Sequence, residues 1–369
     1  MDINVENVIS VGLPVFPTSY ENAKGVYASP IAFPESLVDP LNGLPLVYAV
    51  GDFFQRGNID LFTAFQNYYP SSGSFAGVGQ SDAISNSKYW SDFTFWRKQS
   101  DGTYKQTLTM KGCLHPRKAL VADFNQDTYP DVYVSCHGYD AGSFPGERSK
   151  LLLSDSKGNY RISEVDTIGY HHAASAGDIN GDGFPDIVSS EFVKPIYFLI
   201  NNKDGTFTKD FSRVNGSINN SYTAKELIDI DGDGYLDLVA GYGFESQYKD
   251  STKIFFGSKI GYFGERFIVI PPVQGRGTVL DFIFIKNNNF RGLFVNRTAD
   301  GTDSVCLYCS TTLQLVNLTD MSSKIVLDNV YRQLASYYKS WMAWWIPSTQ
   351  SGQNGIVPYW TITNTFVTQ

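Results

Sequence analysis

Three nine-residue segments repeat one acidic pattern: Asp123-Phe-Asn-Gln-Asp-Thr-Tyr-Pro-Asp131, Asp178-Ile-Asn-Gly-Asp-Gly-Phe-Pro-Asp186 and Asp229-Ile-Asp-Gly-Asp-Gly-Tyr-Leu-Asp237. Carboxylates this close repel and raise one another's pKa, so the pattern makes sense only around a cation or well solvated. Oxygen side chains at positions 1, 3, 5 and 9 suit a hard divalent cation, and calcium is the first inference. The expected ligands are Asp123, Asn125, Asp127 and Asp131 with the Tyr129 carbonyl in the first loop. In the second they are Asp178, Asn180, Asp182 and Asp186 with the Phe184 carbonyl, and in the third Asp229, Asp231, Asp233 and Asp237 with the Tyr235 carbonyl. The rings at position 7 are expected to pack inward. Position 6 wants positive φ, which suits Gly183 and Gly234 better than Thr128, so the first loop is expected to be the weakest. The bland alternative is a set of Asp-Gly turns with no ion, and recurrence of the whole ligand set argues against it. An EF-hand needs flanking helices and a late Glu; here Val132-Tyr-Val134, Ile187-Val188 and Leu238-Val239 follow as strand-like runs.

Each loop sits in a unit of one order: a small-residue strand (119–122, 173–177, 223–228), the loop, an apolar strand and a hairpin. Hairpins are expected between 150–154 and 159–163 across Lys157-Gly158, and between 196–200 and 206–208 across Asp204-Gly205. A degenerate copy begins at Gly51-Asp52 and keeps Asp60, but has Phe54 and Arg56 at the inner ligand positions, so Arg56 itself would supply the positive charge. Its hairpin is expected at 94–98 and 104–108 across Asp101-Gly102. Residues 284–292 and 347–355 occupy the corresponding downstream places without the acids and are expected to be metal-free. Such units cannot bury their faces alone, and radial closure leaves few open edges. The expected fold is all-β: a β-propeller of four-stranded antiparallel blades, six in number with seven the alternative, three of them carrying calcium loops. Residues 1–369 would form one domain, with 1–45 completing the last blade and 67–89 an inserted surface loop.

Aromatic content of 15%, 33 Gly and only 18% charged residues favour turns and strands over helices. The three loops hold ten Asp, more than the whole net charge of −8, so the acidity is local. There is no basic field for nucleic acid and no apolar run long enough to span a membrane. No secretion signal is visible at the N-terminus, yet calcium loops of this kind suit an extracellular setting or a virion surface, reached without a leader in these residues or by release at lysis. Sequons at Asn215, Asn219, Asn296 and Asn317 are compatible with secretion. Cys306 and Cys309, on opposite faces of an expected strand, are read as buried thiols. Cys113 and Cys136, beside His115 and His137, are read as buried thiols or a single disulfide, with a zinc cluster the minor alternative.

At Asp-x-Asn-x-Asp-x-x-x-Asp followed by Val-Tyr-Val, and at Gly177-Asp-Ile-Asn-Gly-Asp-Gly-Phe-Pro-Asp-Ile, the chain resembles the FG-GAP or VCBS repeats found also in integrin α heads. The stretches His137-Gly-Tyr-Asp-Ala, Phe144-Pro-Gly-Glu147 and Leu151-Leu-Leu-Ser154 look like a bacterial subgroup. The resemblance covers residues 115–260 and implies a propeller whose ions rigidify loops on its rim. It implies no single activity, since such proteins include adhesins, lectin-like proteins, lyases and virion fibres.

Two classes of function follow. A binding module would present aromatics, with Tyr68 and Tyr69 in the insertion the first candidates. Trp341, Trp344, Trp345 and Trp360 cluster late with Tyr337, Tyr338 and Tyr359, and core packing accounts for at least half of them. A second excursion, 136–148, carries Asp140, within reach of the ion or a neighbouring strand. The enzyme alternative gathers His171, His172, Arg117 and Lys118 at one mouth of the channel, a base with cations that would suit β-elimination on anionic polysaccharide. No Gly-x-Ser-x-Gly elbow or zinc-protease motif supports other chemistry. The favoured reading is a non-enzymatic module that recognises a cell-surface glycan or protein receptor, on a phage tail fibre and among other virion proteins.

Overall fold

The computed structural model describes residues 47–58, 60–64, 67, 77–155, 157–191, 194–215, 222–245, 250–264, 266–287, 290–330, 345–347 and 356–358. Sequential strands pair antiparallel into five four-stranded sheets. The first holds β1 (Val47–Gly51), β2 (Asp60–Ala64), β3 (Asp92–Lys98) and β4 (Tyr104–Lys111). The second holds β5 (Pro116–Ala122), β6 (Asp131–Cys136), β7 (Glu147–Ser154) and β8 (Tyr160–Gly169). The third holds β9 (His171–Gly177), β10 (Asp186–Glu191), β11 (Tyr197–Asn201) and β12 (Phe207–Asp210). The fourth holds β13 (Tyr222–Ile228), β14 (Asp237–Tyr242), β15 (Lys253–Phe255) and β16 (Phe267–Val269). The fifth holds β17 (Thr278–Asn287), β18 (Phe290–Thr298), β19 (Ser310–Asn317) and β20 (Ser323–Val330). A short pair, β21 (Trp345–Pro347) and β22 (Ile356–Pro358), follows. The three expected hairpins are present as β3–β4, β7–β8 and β11–β12.

Burial follows strand order. β5 and β13 are buried along their whole length, while β4 and β16 are mostly half-exposed or exposed. The small residues explain the inner position: the first strands of successive sheets run side by side, β1 with β5, β5 with β9, β9 with β13 and β13 with β17. Alanines such as Ala119, Ala174, Ala176 and Ala224 permit that approach. Apolar faces then meet between sheets. Leu120, Tyr133 and Leu151 pack with Ala174, Ile187 and Leu199, and Val188 and Phe198 share a core with Leu227, Leu238, Phe282 and Val295. Leu280, Phe294, Leu313 and Leu315 join the cluster that holds Val47, Phe62, Val121 and Val134. Burying a side chain such as Leu or Phe stabilises by about 1.5–3 kcal/mol.

Three expectations change here. Residues 284–292 do not form a nine-residue loop, because Asn287 already pairs with Phe290 and the two strands run nearly to the turn. Cys306 and Cys309 are disulfide-bonded to each other, since they lie in a turn before β19 rather than on opposite faces of a strand. Asn296 is buried in β18, so that sequon presents no acceptor at the surface. Within the insertion, α1 (Gln80–Ser85) buries Ala83 against Leu114 and Tyr139. Residues 1–45, Tyr68, Tyr69, Tyr337, Tyr338, Trp341, Trp344, Tyr359, Trp360 and the 348–355 connection lie outside the described residues.

Candidate functional site

Two constellations occupy opposite ends of the inner strands. The acidic loops join the first strand of a sheet to the second: 123–131 follows β5, 178–186 follows β9 and 229–237 follows β13. The 52–60 segment holds the same place after β1. All four share a scaffold. The first Asp accepts backbone N–H groups from positions 5 and 6, as Asp123 does from Asp127 and Thr128, Asp178 from Asp182 and Gly183, and Asp52 from Arg56 and Gly57. Asp229 accepts instead from positions 4 and 6, Gly232 and Gly234. The ninth Asp reaches the end of the third strand: Asp60 accepts from Lys98 N–H, Asp131 from Ser154, Asp186 from Asn201 and Asp237 from Gly257, all at 2.7–2.9 Å.

The inward anchor is position 2, not position 7. Phe53, Phe124, Ile179 and Ile230 are all buried, whereas Tyr235 is 38% exposed and Tyr129 and Phe184 are half-buried. The physical reason is that position 2 continues the buried inner strand, while position 7 lies past the turn; the Lys203 ammonium sits 5.1 Å from the Phe184 ring centroid. The recurring apolar residue after each first Asp was the missed signal.

The donor chemistry fits a calcium ion. Carboxylate oxygens of Asp229, Asp231 and Asp237 lie within 4.8 Å of one another. Asp186 Oδ2 is buried without a hydrogen bond. Basic side chains already lean on the acids, Lys203 Nζ at 3.2 Å from Asp182 Oδ2 and Arg266 at 2.7 Å from Asp231 Oδ2. Burial pushes the carboxyls of Asp131, Asp186 and Asp237 up to about 7. In the degenerate loop the Arg56 guanidinium stands 3.0 Å from buried Asp60, the arrangement its sequence suggests. The loops also touch in series: Gln55 Nε2 donates to the Thr128 carbonyl at 2.8 Å, and Gln126 Nε2 to the Gly183 carbonyl.

At the other end, three of the four histidines of the chain converge. The Cys113–Cys136 disulfide ties the segments that carry His115 and His137. Glu147 holds both in place, accepting N–H groups of Leu114, His115 and Gly138 at 2.9–3.0 Å. Only glycine suits the crossing: a Cβ on Gly138 would stand 2.6 Å from the Gly146 backbone. The His115 and His137 ring centroids are 4.0 Å apart, and His137 stacks on Tyr170 at 4.2 Å and on His172 at 5.6 Å. Asp140 completes the group, taking the Tyr170 hydroxyl on Oδ1 and Arg117 at 3.4 Å on Oδ2. Burial, reinforced by the Arg117 charge, pushes the pKa of His115, His137 and His172 well below the usual value, so these imidazoles are neutral. Burial alone would raise Asp140, but Arg117 and the surrounding donors outweigh it and hold the carboxylate ionised.

Of the quartet suggested by sequence, Arg117 and His172 meet here and the other two do not. Both strands carry a register shift at these residues, and the side chains part there. His171 hydrogen-bonds the Thr167 carbonyl and Tyr197. Lys118 reaches across the inner strands to Glu226 and Asp281. Sequence reasoning left His115 and His137 out of this site because no local spacing links 115, 137 and 172; only adjacency of β5, β6 and β9 does.

Residues 178–240 match the model of the FG-GAP-like repeat family. A search of the curated proteins finds no match. Among solved structures, the chain is similar to the V. cholerae biofilm matrix protein Bap1 at 12% identity and a TM-score of 0.40, over 83% of this chain and 43% of that one. The chain thus spans less than half the length of Bap1. It is also similar to a chain of BBS1N in complex with ARL6DN, at 10% identity and a TM-score of 0.37, over 80% and 86% of the two chains. A chain of a RAG complex with one melted and one unmelted RSS matches at 12% identity and a TM-score of 0.42, over 81% and 86%. These similarities are too remote for a fold or function to be read across.

Proposed function

We propose that the chain is a calcium-stabilised β-propeller that works outside the cell as a non-enzymatic binding or adhesion module, recognising a cell-surface glycan or a protein receptor. In this reading six blades surround the axis, the last drawing on residues before 47 and after 330, and three calcium ions fill the loops 123–131, 178–186 and 229–237. The observation that carries it is the set of loops at one end of the inner strands, each with its carboxylates gathered beside a buried anchor and the first two joined through Gln126. Ions there would stiffen a surface without taking part in chemistry. Two disulfides favour an oxidising setting, such as a secreted or virion-borne protein. A glycan array and a pull-down on host cells test the reading. A ligand retained in calcium and lost in EGTA supports it, and binding indifferent to calcium sinks it.

A second reading is favoured by one observation, the meeting of Arg117 and His172 with His115, His137, Asp140 and Tyr170. A neutral imidazole beside a fixed guanidinium has the parts of a base and a carboxylate clamp, as β-elimination on an anionic polysaccharide requires. Turnover of such a polysaccharide, abolished by His172→Ala at unchanged melting temperature, would establish it. No turnover across a panel of uronate polymers removes it.

A further inference from the structure

We infer that His115, His137 and Asp140 form a binding site for one divalent transition cation of the zinc class, separate from the calcium loops. One nitrogen from each imidazole and one Asp140 oxygen lie within 4.8 Å of one another. Two imidazoles and a carboxylate are the ligand set of a borderline cation rather than of calcium, which takes oxygen almost exclusively.

The second observation is the state of His137. Its Nδ1 lies 3.0 Å from the Gly138 carbonyl, an acceptor only, so Nδ1 carries the proton and Nε2 presents its lone pair. That Nε2 is buried and makes no hydrogen bond, and it faces Asp140 Oδ2 at 3.9 Å. A buried imidazole nitrogen left in this state costs free energy that a metal would return. The backbone carbonyl behind the ring is the usual orienting partner of a metal-bound histidine. Asp140 is oriented likewise, by the Tyr170 hydroxyl and by Arg117. The charge of Arg117 opposes a cation, and the ionised Asp140 between them offsets it. Three protein ligands leave a fourth position for water or for a ligand atom.

The experiment is a titration of the full chain with Co2+ in saturating calcium, which keeps the acidic loops occupied. One equivalent should bind with the visible absorption of a four- or five-coordinate nitrogen and oxygen site, and Zn2+ should displace it. His137→Ala and His115→Ala should each weaken binding at least tenfold. If His137→Ala does not fold, Tyr170→Phe is the substitute: it removes only a hydroxyl that orients Asp140, and should weaken binding about tenfold. The inference is overturned if the unaltered protein shows no saturable band in calcium, or if the band survives loss of both histidines.

Discussion

The loops 52–60 and 178–186 solve one problem by different means. Both close on the same scaffold, a first Asp holding the turn and a ninth Asp tied to the third strand. In 52–60 the cation is built in, because Arg56 lies against Asp60. In 178–186 the acids outnumber the single lysine that leans on Asp182, and the remaining charge calls for a soluble ion. The ninth Asp persists in both and is bonded to the end of the third strand in both. In ligand set the two loops differ at positions 3 and 5, where Phe54 and Arg56 stand in place of Asn180 and Asp182, and under the calcium reading that difference decides which of them takes an ion.

The largest expected effect is removal of calcium. Each site held at a hundred times its Kd contributes about 2.7 kcal/mol, so EGTA should lower the melting temperature by many degrees, and unchanged melting would end the calcium assignment. Next comes pH. The raised carboxyls of Asp131, Asp186 and Asp237, at about 7, remain protonated in the calcium-free fold where the unfolded chain has released its protons. Their contribution is therefore present below the unfolded value of about 4 and lost as pH rises to about 7. Calcium reverses this by holding them ionised, so the stability gained on adding calcium should grow from pH 5 to pH 7.5. Denaturant melts with and without calcium at each pH read the gain directly, and the buried histidines, common to both arms, cancel. A gain independent of pH would mean that the ninth Asp does not sense the ion.

Smaller effects separate the two loops. Arg56→Ala leaves buried Asp60 without its cation and should cost about 1–3 kcal/mol, equally in calcium and in EGTA. A calcium-dependent cost would erase the distinction between built-in and recruited charge. Smallest is Thr128→Gly. Thr128 holds φ 74° where the second and third loops have Gly183 and Gly234 at 90° and 93°. Relief of that strain, less the added chain entropy of glycine, should stabilise by about 0.5–1 kcal/mol and tighten calcium most in the first loop. Isothermal titration of the variant checks it.

Much of this was legible in the chain. The loops, the hairpins at Asp101-Gly102, Lys157-Gly158 and Asp204-Gly205, and the role of Arg56 all rest on local chemistry, where neighbouring residues decide the outcome. The orientation of Tyr235 was not legible, since burial at position 7 depends on where the turn sits against the sheet. Nor was the histidine cluster, whose members come from the segment just before β5, from β9 and from the connection after β6, brought together by sheet packing. The Cys306–Cys309 bridge was missed because those residues were assigned to a strand that begins only at Ser310.

The glutamine contacts that run from Gln55 to Thr128 and from Gln126 to Gly183 join three successive loops into a mechanical series. An ion that fixes the second loop also fixes the acceptor on which the first loop leans, so filling one should ease filling the next. Calcium uptake would then be cooperative, and Gln126→Ala should return the Hill coefficient to one; a wild-type coefficient of one would show that each loop fills alone.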